Sequence, residues 1–171
     1  MFFYKIKTKP YASATIDYYV LDQEVGISSL PKEQYEQNIL LDKELQDTSW
    51  SESSWQSLES EKDYLLINLV QNDCVIGLLL VKLNYLEEMA HLLKIIVIKE
   101  KRRQGFGKLL LDELESFMKS GQLNKLFLEV EEDNASAISL YEKLGVNKIC
   151  LKKKFYSNGK SAWKMFKENK G

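Results

Sequence analysis

Residues 92–119 read LLKIIVIKEKRRQGFGKLLLDELESFMK, and this stretch decides the architecture. Residues 92–98 are nearly all apolar and β-branched, as in a strand covered on both faces. Residues 99–104 are polar. From Gly105 to about Lys119, Leu109, Leu110, Leu114, Phe117 and Met118 recur with helical spacing. Gly121 closes that helix, and 126–130 reads as the next strand. A strand–helix–strand unit of this kind is a right-handed crossover between parallel strands.

Reading outward, 64–70 and 74–83 form two strands joined by a tight turn at Asn72-Asp73. Residues 134–144 form an amphipathic helix ended by Gly145. A strand over 146–151, extended into 152–156, pairs through Ser157-Asn158-Gly159-Lys160 with 161–166. Upstream, Pro31 stands where a helix takes its first residue. Tyr35, Ile39, Leu40 and Leu45 give that helix an apolar stripe to about Gln46. Ser49 and Glu52 have capping-box spacing, predicting a second helix over 50–60. Residues 2–7 and 18–21 are both strand-like, and the sequence does not decide which leads the sheet. The expected fold is α/β with a mixed sheet and helices on both faces, in a single domain over 1–171. Its first thirty residues are the least defined part.

The charges nearly cancel, with 24 Lys and Arg against 25 Asp and Glu, a net of -1. That balance gives no support to nucleic acid as a partner, because phosphate binding draws on a basic excess. No apolar run approaches the roughly 20 residues that cross a bilayer, and the first residues lack the order of a secretory signal. Cys74 and Cys150 have no Cys or His nearby in sequence, so no metal is expected. A reduced, cytoplasmic protein is the default.

The loop Arg102-Arg103-Gln104-Gly105-Phe106-Gly107-Lys108 carries the first chemical signal. Glycine lets the backbone approach a ligand and take positive φ. The helix that starts there leaves about four amide hydrogens unpaired behind a partial positive charge, a site suited to a phosphate-type anion. A Walker loop is excluded because Leu109 follows Gly107-Lys108, and the dinucleotide fingerprint lacks its third glycine. Glu129 then ends the next strand, with Asn134 opening the following helix and Tyr141 about two turns along it. Ligands of open parallel sheets sit beyond the carboxyl ends of neighbouring strands, which places these residues beside the glycine loop.

The cofactor-loop pattern Arg/Gln-x-x-Gly-x-Gly/Ala resembles the GCN5-related N-acetyltransferase (GNAT) superfamily. Leu128-Glu129-Val130, Asn134, Ala137 and Leu140-Tyr141-Glu142-Lys143-Leu144-Gly145 resemble its ribosomal-protein-alanine N-acetyltransferase branch, most specifically over 64–156. Trp50-Ser51-Glu52 resembles an element of the same branch. The resemblance implies a GNAT-like, mostly antiparallel sheet in which the family's fourth and fifth strands run parallel and splay. It implies acetyl-CoA as cosubstrate and a primary amine as acceptor, foremost a protein N-terminal α-amine. It implies that Ile95, Ile96 and Val97 pair with the pantetheine arm, that 102–108 hold the pyrophosphate, and that Asn134 contacts the cofactor. Glu129 is then the general base and Tyr141 the general acid, with Tyr156 and Trp50 bordering the acceptor.

Each residue also has a plain reading. Tyr141 alone is a core aromatic, Glu129 a solvated strand end, and Trp50 and Trp55 packing residues. Glu131-Glu132-Asp133 reads as a solvated loop and 152–154 as a lysine-protected sheet edge. His91 reads as a strand-start residue without catalytic duty. Three features depart from the family pattern. Lys99 replaces a proline. Glu131 stands where the branch has a basic residue, and Lys160-Ser161 where it has an acidic pair. Extra residues also precede the first clear helix. The competing readings are a small-amine acetyltransferase and a non-catalytic CoA-binding module. The acceptor and the oligomeric state stay open at this level.

Overall fold

The computed structural model describes residues 6–22 and 24–170. Within them the order is β1 (Ile6–Tyr11), β2 (Ala14–Leu21), α1 (Lys32–Lys43), α2 (Glu52–Gln56), β3 (Tyr64–Gln71), β4 (Cys74–Asn84), β5 (Met89–Val97), α3 (Phe106–Ser120), β6 (Lys125–Glu131), α4 (Ala135–Lys143), β7 (Asn147–Lys152) and β8 (Ala162–Glu168). These strands form one sheet in the order β1-β2-β3-β4-β5-β6-β8-β7. Each described pairing is antiparallel except β5 with β6. The strand expected over 2–7 falls largely outside the described residues. Strand β2 begins four residues before the expected 18–21 and pairs with β3.

Helices cover both faces. On one, Leu110, Leu114 and Phe117 of α3 and Ile138 and Tyr141 of α4 pack on Leu79, Leu92, Leu126 and Leu128. On the other, Ile39, Leu41, Trp55 and Leu58 cover Leu66, Leu78, Leu80 and Ile96. Gly77 permits close layering at the site end, since a Cβ there would stand 3.2 Å from the Ile96 carbonyl and 3.4 Å from Leu110 Cδ1.

Two irregularities make the site. Opposite Leu80 and Val81, β5 presents Lys94 and then Leu92, so Leu93 is an extra, bulged residue. A bulge reverses which face later side chains meet. Ala90 and Leu92 join the α3 side, whereas Ile96 joins the α1 side. The parallel pairing of β5 with β6 also ends there, at Leu92 opposite Leu128. Beyond it β5 is paired only with β4 and β6 only with β8. A wedge opens between the two strands.

Several expected boundaries move. Pro31 is the residue before α1 and not its first. Leu40 is 63% exposed, because the helix turns a mixed face inward that includes Asn38, Ile39, Leu41 and Asp42. The cap of α2 is Ser51, whose side chain accepts from the Ser54 amide at 3.2 Å, while the Ser49 hydroxyl donates to the Gln46 carbonyl. Strand β5 starts at Met89 and alternates in burial, so it is not covered uniformly on both faces. Of the strand expected over 152–156, only Lys152 is in β7. The last pair is Lys152 with Ala162. Lys154 at φ 51° then turns the chain away, and Tyr156 and Lys160 close a loop through a 3.1 Å backbone hydrogen bond. The Asn72-Asp73 turn is as read, with both residues at positive φ.

Leu110 is fully buried where α3 meets the sheet. Leu110→Ala is expected to lower unfolding free energy by about 2–5 kcal/mol, measured by urea denaturation.

Candidate active site

The glycine loop sits at the N-terminus of α3, at the open end of the wedge. Gly105 precedes the helix at φ 87°, a left-handed conformation that costs other L-residues roughly 1–2 kcal/mol. The helix start has no capping side chain and no acidic residue in its first turn. Its early amide hydrogens therefore have neither a side-chain acceptor nor a competing anion. A Cβ on Gly107 would meet only Leu140 Cδ2, at an ordinary 3.5 Å. Packing alone does not demand glycine there, which suits a surface kept bare for a ligand.

The flanking residues divide their work. Arg102 donates from Nε to the Val97 carbonyl at 2.9 Å and lies 3.7 Å from Glu44, fixing the loop to β5. Gln104 donates to the Glu100 carbonyl at 3.0 Å, and Lys108 pairs with Asp112 at 2.6 Å. Phe106 packs on the core. Arg103 is exposed at φ 60°. Among 95–97 the side chains of Ile95 and Val97 pack on one core and Ile96 on the other. Their backbones border the wedge, and no pairing to β6 reaches them. Asn134 caps α4 by accepting from the Ala137 amide at 3.2 Å. That bond occupies its carbonyl oxygen and leaves the exposed amide group as a donor.

Glu129 is the first residue of β6 beyond the last parallel pair. Leu128 and Val130 face the α3–α4 core with Tyr141, so strand alternation aims Glu129 at the opposite face. There its Oε2 lies 2.6 Å from His91 Nε2, the side chains being 17% and 30% exposed. The His91 ring also packs against Phe127 at 4.9 Å. His91 is thus no idle strand-start residue. Its signal in the sequence was parity: it points to the same face as Glu129 from the neighbouring strand.

Tyr141 is 5% exposed, and burial holds its phenol well above the usual range. Tyr156 is pushed up to about 12, first by burial and then by the carboxylates of Glu131 and Glu129. Both phenols therefore stay protonated at neutral pH, and the 153–161 loop holds Tyr156 within the field of the two carboxylates. Trp50 is half-buried on the α1 core, its ring 5.6 Å from Trp55 and 5.0 Å from Lys94 Nζ. Glu131 is not merely solvated. Lys160 lies 3.1 Å from it and 3.2 Å from Asp133. The two charge departures in the sequence thus meet each other as an ion pair. Among the described residues no three His, Cys, Asp or Glu side chains converge as metal ligands would, and no helix is long and apolar enough to cross a membrane.

The acetyltransferase (GNAT) family model matches residues 27–146. The chain belongs to this family. It is similar to the [ribosomal protein bS18]-alanine N-acetyltransferase of Escherichia coli K12, with 36% identity over 107 residues, 63% of this chain and 70% of the relative. A crystal structure of the E. coli ribosomal-protein-S18-alanine N-acetyltransferase superposes with a TM-score of 0.74 at 27% identity, covering 91% of this chain and 93% of the other. An N-alpha-acetyltransferase of Saccharolobus solfataricus is 37% identical over 76 residues, 44% of this chain and 46% of the relative. As a GNAT protein with these relatives, the chain is an acetyl-CoA-dependent N-acetyltransferase.

The contact room at Gly107 makes a direct test. Gly107→Val is expected to fold and to weaken acetyl-CoA binding at least about tenfold, or about 1.4 kcal/mol, by isothermal titration calorimetry. An unaltered affinity would remove the cradle.

Proposed function

We propose that this acetyltransferase acts on a protein N-terminal α-amine by direct attack, with Glu129 and His91 receiving the amine proton. The observation that carries this reading is the wedge with chemistry on its two sides. Glu129 and His91 lie on one face of the sheet and Tyr141 on the other. An acyl donor held from the α3 side can present its thioester in the wedge, while the amine approaches from the opposite face. Relatives that act on ribosomal-protein alanine and on α-amines support the acceptor class.

The acceptor side is framed by two segments. Residues 44–51, between α1 and α2, meet the 153–161 loop, where Asn158 Nδ2 donates to Asp47 Oδ2 at 3.4 Å. Tyr156 enters from the second segment. This rim carries Asp47 together with Glu131 and Asp133, the last two balanced in part by Lys160, and its remaining acidity suits an acceptor arriving as an ammonium. An α-amine has a pKa near ~8 and must lose a proton before it attacks. The Glu129 carboxylate accepts that proton directly or through one water, and the imidazole at 2.6 Å gives it an onward path.

On the other face, Arg103 to Lys108 and the first-turn amides of α3 hold the pyrophosphate. The backbones of 95–97 hold the pantetheine arm, and Asn134 adds a donor. Attack forms the amide bond and breaks the carbon–sulfur bond, leaving a thiolate. Thiols have pKa values near ~8.5, below that of a phenol raised by burial. Tyr141 therefore serves the departing sulfur chiefly as a neutral hydrogen-bond donor, with less weight on complete proton transfer.

Glu129→Gln is expected to lower kcat on an N-terminal peptide by roughly 10²-fold or more while acetyl-CoA affinity holds. Tyr141→Phe should lower kcat by about 10-fold or more. Thiol release from a panel of peptides and small amines reads both. Unchanged turnover in either variant would remove that residue from its role, and preference for small amines would overturn the acceptor.

A further inference from the structure

One buried charged cluster has no place in that chemistry. Lys94, the residue after the bulge in β5, has a side chain only 2% exposed. Its Nζ lies 2.7 Å from Oδ1 of Asp42, whose side chain is 1% exposed, and donates to the Thr48 carbonyl at 3.1 Å. The other oxygen of Asp42 accepts from the Trp50 amide and from the Trp55 indole, each at 2.8 Å. The ammonium also lies 5.0 Å from the centroid of the Trp50 ring. Burial draws the lysine's pKa down while Asp42 holds it up.

A buried ion pair is weak evidence for stability, because desolvating both charges offsets much of their attraction. Its value here lies in what it joins. Asp42 stitches the end of α1 to the 44–51 segment and to α2. Lys94 ties that assembly across to β5 by a buried ion pair and a hydrogen bond, between the bulged Leu93 and the backbone that borders the wedge. Without the bulge, strand alternation would aim residue 94 at the α3 core.

We propose that Lys94 and Asp42 are positioning residues that hold the 44–51 segment over the wedge and thereby set acceptor binding. The inference rests on the reading that the acceptor passes over this segment. The segment's position is fixed from the strand that also carries His91 and the 95–97 backbone. Loosening it therefore affects the acceptor before it affects acetyl-CoA.

The test is the double variant Lys94→Met/Asp42→Asn, beside Lys94→Met. In the double variant no buried charge is orphaned, and the Asn carbonyl keeps an acceptor for the Trp50 and Trp55 hydrogens. The fold is retained while the tie to β5 is cut. Expected are a KM for the acceptor raised about tenfold or more and a KM for acetyl-CoA within about twofold. Amide hydrogen exchange across 44–51 should be faster, with β3 and β4 unchanged. An acceptor KM equal to that of the parent, a parallel rise in both KM values, or unaltered exchange in 44–51 would each overturn the proposal. If the parent protein uses small amines and not peptides, the N-terminal reading fails separately. The positioning role is then read on the amine that turns over. Should Lys94→Met alone fail to fold, the double variant and its exchange pattern decide.

Discussion

The structure depends on the parting of two parallel strands. Strands β5 and β6 are hydrogen-bonded only as far as Leu92 and Leu128, and the bulge at Leu93 falls at that point. Backbone groups in a sheet interior are ordinarily paired. Beyond Leu92 the side chains of Ile95 and Val97 pack on the α3 core and Ile96 on the α1 core, while the strand between them is paired with β4 and not with β6. The glycine-lined start of α3 stands at the end of the same strand. One interruption of the ladder thus sets a strand edge without a β6 partner beside an uncapped helix start, the two features on which the proposed acetyl-CoA site rests.

The same irregularity distributes charge. Because side chains reverse face across the bulge, His91 reaches Glu129 before it, and Lys94 reaches Asp42 after it, while Ile95 and Val97 remain on the α3 core. Strand β5 therefore holds the 44–51 segment through Lys94, meets Glu129 of β6 through His91, and borders the wedge with 95–97. This accounts for a buried lysine in an otherwise apolar run, which composition alone would assign to packing.

The central crossover and the glycine loop were readable in the sequence because their signals are local: helical spacing, glycine position and a β-branched run. That Glu129 ends β6 and Tyr141 lies on α4 was readable from their spacing, while their chemical roles came from the family likeness and belong to the proposal. What escaped depends on partners far apart in the chain. His91 is 38 residues from Glu129 and Lys94 is 46 from Thr48, and no periodicity encodes such contacts. The inward face of α1 was misread because Asn38 and Asp42 are buried polar residues, which a hydrophobic stripe cannot reveal. Residues 153–156 were read as strand leading to a turn at 157–160 because they are strand-like, while Lys154 adopts a positive φ that only the tertiary setting reveals. Glu131 and Lys160 looked like two separate departures until their 3.1 Å contact joined them.

The most direct measurement is an amide-resolved NMR titration of the protein with acetyl-CoA. The account predicts shifts concentrated in the amides of 95–97 and 103–108, with β7 unmoved. Saturation that leaves both of those segments silent while amides elsewhere respond would contradict it.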